Sequence, residues 1–215
     1  MLPENVAKMV GFVQKEGKPV ATCFLIESRG EMDPLRDDWT HYYIVTAEHA
    51  VPSDGAGREI WFPDENRSLR KLEVSEWHYG PGDLALAPWI PPDDYRGWRA
   101  LPMNQLTTLH LGGLARLAVG TTILYSGVLQ PVPSMARQGQ AMVRSATLGA
   151  VDVQGVTYTS NLGTYTAEWA HLIDCRSRAW FSGAPCFASM PYETTRTQPS
   201  RHRLRPFPIS YLCPR

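Results

Sequence analysis

The sequence predicts an all-β fold in two halves, and three observations carry that prediction. Apolar, β-branched and aromatic residues recur with a period of two in short runs, and no stretch sustains a helical period. Glycine and proline together make up 35 of 215 residues, above ordinary usage, so turns are frequent and elements short. Charge is divided along the chain. Residues 1–94 hold 17 acids against 9 bases, whereas residues 95–215 hold 4 acids against 12 arginines, although the chain as a whole is neutral.

Strand candidates follow in order. Val20–Glu27 is a nearly continuous apolar run, and an acidic loop from Ser28 to Asp38 separates it from His41–Thr46. Arg58–Phe62 and Lys71–Trp77 come next, and Pro81-Gly82 then turns the chain into Asp83–Trp89. The Pro91-Pro92-Asp93-Asp94 cluster makes residues 91–106 read as a connection between halves. Beyond it, Ala115–Val119, Thr122–Ser126, Ala141–Thr147, Gly155–Thr159, Thr164–Trp169, Leu172–Asp174 and Ser182–Ala188 continue the pattern. Many short strands at this spacing indicate a sandwich or a pair of barrels. From Thr194 onward the chain has five arginines, four prolines and no acid, and only Phe207–Cys213 offers a strand, which its proline confines to an edge.

Composition excludes several classes. With 43% hydrophobic and 20% charged residues, the chain is too apolar for a disordered protein. The longest charge-free run, Leu117–Ala136, is broken by glycines and prolines and does not read as a transmembrane helix. The N-terminus lacks a basic segment followed by an apolar one, and the four cysteines are far apart, so a cytoplasmic protein with reduced thiols is expected. The six histidines are scattered with no HExxH or CxxC spacing, and no metal or other cofactor is expected. Gly112-Gly113 lacks the Lys-Ser/Thr of a phosphate loop. Arg196, Arg201, Arg203 and Arg205, with Phe207 and Tyr211, could contact phosphates and bases, but an Arg-rich terminus alone is a weak argument for nucleic acid.

Three segments carry chemistry. Ile44-Val-Thr-Ala-Glu-His49-Ala-Val51 delivers a histidine at the end of a strand. Gly82-Asp83-Leu-Ala-Leu-Ala87 sets an aspartate just ahead of another. Phe181-Ser182-Gly-Ala-Pro185 places a serine before small residues that permit a tight turn. A serine hydroxyl becomes a nucleophile when a neutral imidazole takes its proton, and a carboxylate can fix the tautomer of that imidazole. The order His, Asp, Ser, at intervals of 34 and 99 residues, is that of the double-barrel serine peptidases.

On these three segments the chain resembles the trypsin-like serine peptidase family in its compact bacterial intracellular form, over roughly Val20 to Ala188 by element order. The resemblance implies two six-stranded antiparallel β-barrels. The first would span residues 1–98 and carry His49 and Asp83. The second, incomplete, would span 99–190 and carry Ser182, and an atypical or poorly ordered tail would occupy 191–215. It implies a serine endopeptidase acting on protein or peptide substrates, with His49, Asp83 and Ser182 as its triad. The backbone N–H groups of Trp180 and Ser182 would form the oxyanion hole, and Arg176 would lie at the base of the specificity pocket, favouring acidic side chains.

Three departures accompany the resemblance. Trp180 stands where the family has a glycine at positive φ, a conformation that costs a side chain about 1–2 kcal/mol. Phe181 stands where zymogen-type members carry aspartate, and no Arg-Ile-Val start exists to cleave, which fits a constitutive form. Only 33 residues follow Ser182, so a truncation or a frameshift ahead of Thr194 is expected. Trp180 and the short C-terminal part also keep open a protease-fold protein that binds peptides without cleaving them.

Overall fold

The computed structural model describes residues 8–29, 40–51, 58–66, 68–74, 76–80, 82–96, 98–103, 118–127, 141–160, 163–175, 181–190 and 203–207. Its strands are β1 (Val10–Lys15), β2 (Lys18–Arg29), β3 (Thr40–Ala47), β4 (Arg58–Pro63), β5 (Leu69–Leu72), β6 (His78–Gly80), β7 (Leu84–Trp89), β8 (Leu101–Pro102), β9 (Thr122–Gly127), β10 (Met142–Ser160), β11 (Gly163–Asp174), β12 (Cys186–Met190) and β13 (Arg203–Phe207). They form two sheets. The first runs β5-β4-β1-β2-β3-β7-β6, with β8 added in parallel beside β2, and the second runs β11-β10-β9-β12-β13. The all-β, two-sheet antiparallel architecture of a trypsin-like double barrel is present. The strand numbers differ from the six-plus-six expected: eight and five strands are described, and among the described residues neither sheet closes on itself.

Strand β2 explains how the halves join. Its alternate residues Ala21, Cys23 and Leu25 enter the first core with Val13, Ile44, Ile60, Phe62, Trp89 and Tyr95. Phe24 and Ile26 face the other way, onto a second cluster with Val10, Val45 and Leu101. Phe187 and Leu124 from the second sheet complete that cluster, so β2 and β3 are buried on both faces. An uninterrupted apolar run is what such a strand requires. Burying each large side chain there is worth roughly 1.5–3 kcal/mol, which holds the sheets face to face. A separate core in the second sheet contains Ile123, Tyr125, Leu148, Ile173, Phe181 and Cys186.

Several sequence expectations need correction. Residues 91–96 and 98–103 are part of the first half and do not form a free connection, and residues 104–106 lie outside the described residues. Tyr95 is fully buried and its hydroxyl donates to the Pro63 carbonyl at 3.0 Å. The Trp98 indole N–H donates to the Tyr95 carbonyl, and Leu101–Pro102 pairs with β2. Two aromatics thus outweigh the turn-forming composition around them. Strand β1 was not anticipated. It pairs with β2 across a two-residue turn in which Glu16 and Gly17 both have positive φ, the backbone a tight hairpin demands. The Lys71–Trp77 run ends as a strand at Leu72. The two runs expected between 141 and 159 are one strand, bent by irregularities at Leu148/Ala150 and Ala150/Val153. Ala118 and Val119 lie in a turn, and Ala115–Leu117 are outside the described residues. Within the expected tail, Arg203–Phe207 pairs with β12 at the edge of the second sheet, the kind of strand in which a proline such as Pro206 is tolerated. Arg196, Arg201 and residues 208–215 lie outside the described residues.

Candidate active site

The histidine and the aspartate meet because their strands are neighbours. Strands β3 and β7 pair so that Ala47 lies opposite Leu84. Glu48–Ala50 form one 3-10 turn directly after β3, and Asp83 is the residue directly before β7. Buried Ala50 and Val51 anchor the far side of that turn. Asp83 has φ +66, in the left-handed region that aspartate tolerates better than most residues. Its carbonyl meets the backbone of Glu48, and its carboxylate meets the histidine. The Glu48 N–H donates to the Asp83 carbonyl at 3.0 Å, and the His49 N–H donates to Asp83 Oδ1 at 2.8 Å. The other oxygen, Oδ2, lies 2.6 Å from His49 Nδ1.

This two-point hold has a chemical consequence. A carboxylate only accepts, so Nδ1 carries the proton, and in the neutral ring Nε2 is left with a lone pair to receive one. The Asp83 side chain is 8% exposed and that of His49 19%, so water competes weakly for the bond while the imidazole keeps an open edge.

Ser182 comes from the second sheet and is fastened to the first. Its carbonyl accepts the Thr22 N–H at 2.9 Å, and the Ala184 N–H closes the turn onto the Phe181 carbonyl at 3.0 Å. Gly183 has φ +77, and a Cβ there would lie within 3 Å of the Thr22 carbonyl oxygen, Thr46 Oγ1 and the Ala47 backbone nitrogen. Glycine is therefore required on two counts, backbone angle and close approach. The same contacts place the serine turn against the last residues of β3, two positions ahead of His49. Thr46 Oγ1 in turn donates to the Thr22 carbonyl at 2.7 Å, and both threonines are buried. Thr46→Val keeps the shape and removes that donor, so it should cost about 1–3 kcal/mol. The check is a lower denaturation midpoint in urea with an unchanged slope.

Phe181 fixes the other side of the turn. It is 6% exposed, packs edge-on to Tyr125 with ring centroids 5.2 Å apart, and fills the space that a side chain on Gly127 would need. Trp180 and Arg176 lie outside the described residues. Beside Arg176 in the chain, Asp174 and Cys175 line a cavity of about 350 Å³ with Tyr125, Arg144 and Ser145. Cys23 is buried, which pushes its thiol well above the usual range and leaves it no nucleophilic role.

Sequence reasoning missed three residues of this neighbourhood. Thr22 and Thr46 had a signal, since each is a polar residue at a core-facing position of an apolar strand. Tyr165 had none. Its ring lies 6.0 Å from the His49 imidazole, tilted by 55°, and it arrives from β11.

No family model matches the sequence, and no curated protein matches it. Among solved structures, the chain is similar to the MamO protease domain of Magnetospirillum magneticum, with 14% identity and a TM-score of 0.56 over 94% of this chain and 92% of that one. HBP aligns over 86% and 87% of the two chains with 14% identity and a TM-score of 0.44. The mouse brain serine protease neuropsin aligns over 67% and 60% with 13% identity and a TM-score of 0.39. The first of these places the chain in the trypsin-like protease fold.

Proposed function

We propose that the chain is a serine endopeptidase that hydrolyses peptide bonds of protein or peptide substrates through an acyl-enzyme, with His49, Asp83 and Ser182 as its triad. The observation that carries this reading is the hold on the histidine. One Asp83 oxygen takes the His49 backbone N–H and the other the ring Nδ1, and no structural need of a strand end calls for both.

In the first step Ser182 Oγ attacks the scissile carbonyl carbon while Nε2 of His49 takes the hydroxyl proton. The resulting imidazolium is stabilised by Asp83. Collapse of the tetrahedral adduct breaks the C–N bond, and the imidazolium returns its proton to the departing amine. Water then repeats the sequence on the ester and frees Ser182. Backbone N–H groups of Ser182 and residue 180 are the proposed oxyanion donors, each worth about 3–4 kcal/mol. By its resemblance to the trypsin-like family, Arg176 is proposed for the base of the specificity pocket, where it would favour acidic side chains over lysine.

A fluorophosphonate probe at neutral pH should label the protein, and Ser182→Ala should abolish labelling without changing its thermal unfolding. Absence of labelling on folded protein would replace this reading by the second one, a peptide-binding module without turnover, which the tryptophan at position 180 favours.

A further inference from the structure

We propose that Tyr165 is a positioning residue for His49, supplied by the second sheet to a histidine carried on the first. The inference rests on the triad reading above and extends it to a residue outside the triad.

The hairpin of β10 and β11 aims the ring. Tyr165 pairs with Tyr158, and on either side lie the pairs Thr157–Thr166 and Thr159–Thr164. Their hydroxyls are 3.1 and 3.2 Å apart and form an exposed ladder on one face of the hairpin. Strand alternation then sends Tyr165 to the opposite face. There it meets the imidazole at 6.0 Å between centroids. Burial first, and then the negative charges of Asp83 and Glu48 on the first sheet, push the Tyr165 phenol above its ordinary range, so it stays a neutral ring.

A neutral aromatic ring at this distance can do two things for the histidine. Its π-electrons can attract an imidazolium at a centroid distance of about 6 Å, which helps only in the state that holds the transferred proton. It also shields the bond between Nδ1 and Asp83 from water. Neither effect requires Tyr165 to touch substrate, and both require the second sheet to be docked on the first.

The test uses the full chain with Ser182→Ala, so that it does not depend on turnover. The His49 Nδ1 proton, bonded to Asp83, is followed as a downfield proton resonance, and its exchange with water is read from its line width. Tyr165→Ala should speed that exchange about tenfold. Tyr165→Phe, which keeps the ring, should restore the slow rate. If Tyr165→Ala does not fold, Tyr165→Leu serves instead, since it keeps an apolar side chain on the strand. Exchange within twofold of the parent in the Ala or Leu variant overturns the proposal.

With Ser182 present, the same substitution should lower kcat about fivefold to tenfold and leave KM unchanged. A raised KM with unchanged kcat would make Tyr165 a substrate contact and overturn the positioning role. Failure of the triad reading shows as absent fluorophosphonate labelling, whereas failure of this proposal shows as unaltered proton exchange.

Discussion

Asp83→Asn should lower the rate of fluorophosphonate labelling by about 10⁴-fold while leaving the fold intact. The backbone contributes little to the loss, because asparagine accepts φ +66 as readily as aspartate does. The damage comes from the geometry of the two oxygens. Oδ1 accepts the His49 backbone N–H at 2.8 Å, and an asparagine oxygen will stay there, because an amide N–H₂ facing that donor would be repelled. The amide nitrogen must then face ring Nδ1 in place of Oδ2. A donor facing Nδ1 selects the opposite tautomer, with the proton on Nε2, and the imidazole can no longer take the serine proton. Labelling rates measured beside thermal unfolding curves decide the matter. A loss of less than tenfold at unchanged stability would mean that Asp83 is a structural cap on the 3-10 turn and nothing more.

The site was legible to different depths for physical reasons. His49 and Asp83 each sit at a strand end within a contiguous segment, Val-Thr-Ala-Glu-His-Ala and Gly-Asp-Leu-Ala-Leu, so local order along the chain preserves their chemistry. The nearly continuous apolar run from Val20 to Glu27 likewise reads as a strand, and in the fold that run lets β2 be buried on both faces. What the sequence hid depends on register between distant segments. Tyr165 reads as one alternating residue among threonines, and only the pairing of β10 with β11 and the docking of the two sheets bring it to His49. Residues 91–103 misled for the opposite reason. Their prolines and aspartates describe the local turns correctly, yet buried Tyr95 and the Trp98 ring packed beside it tie the segment into the first core. Strand β1 was lost because Gln14 and Lys15 dilute the run that begins at Val10, although Glu16-Gly17 marked its turn.

Phe181→Ala should have the largest effect on stability, about 3–5 kcal/mol, with the melting temperature lowered by roughly 6–20 °C. The reason is where the ring lies. It belongs to the second core with Ile123, Tyr125 and Cys186, and it also closes over Gly127, where a Cβ would lie 2.7 Å from it and from Thr22 Oγ1 of the first sheet. One side chain therefore anchors the serine turn from below while the Thr22 N–H holds the Ser182 carbonyl from above. An aspartate at this position would need a buried cation to be stable, whereas phenylalanine needs only apolar neighbours and is satisfied as soon as the chain folds. Phe181→Leu keeps most of the volume and should cost less than about 1.5 kcal/mol. If the ring orders the turn as well as filling the core, Phe181→Ala will label more slowly with fluorophosphonate than Thr46→Val when both are measured well below their melting temperatures. Equal labelling of the two variants under those conditions would confine Phe181 to the core and leave the ordering of the turn to backbone bonds such as Thr22 N–H to the Ser182 carbonyl and Ala184 N–H to the Phe181 carbonyl.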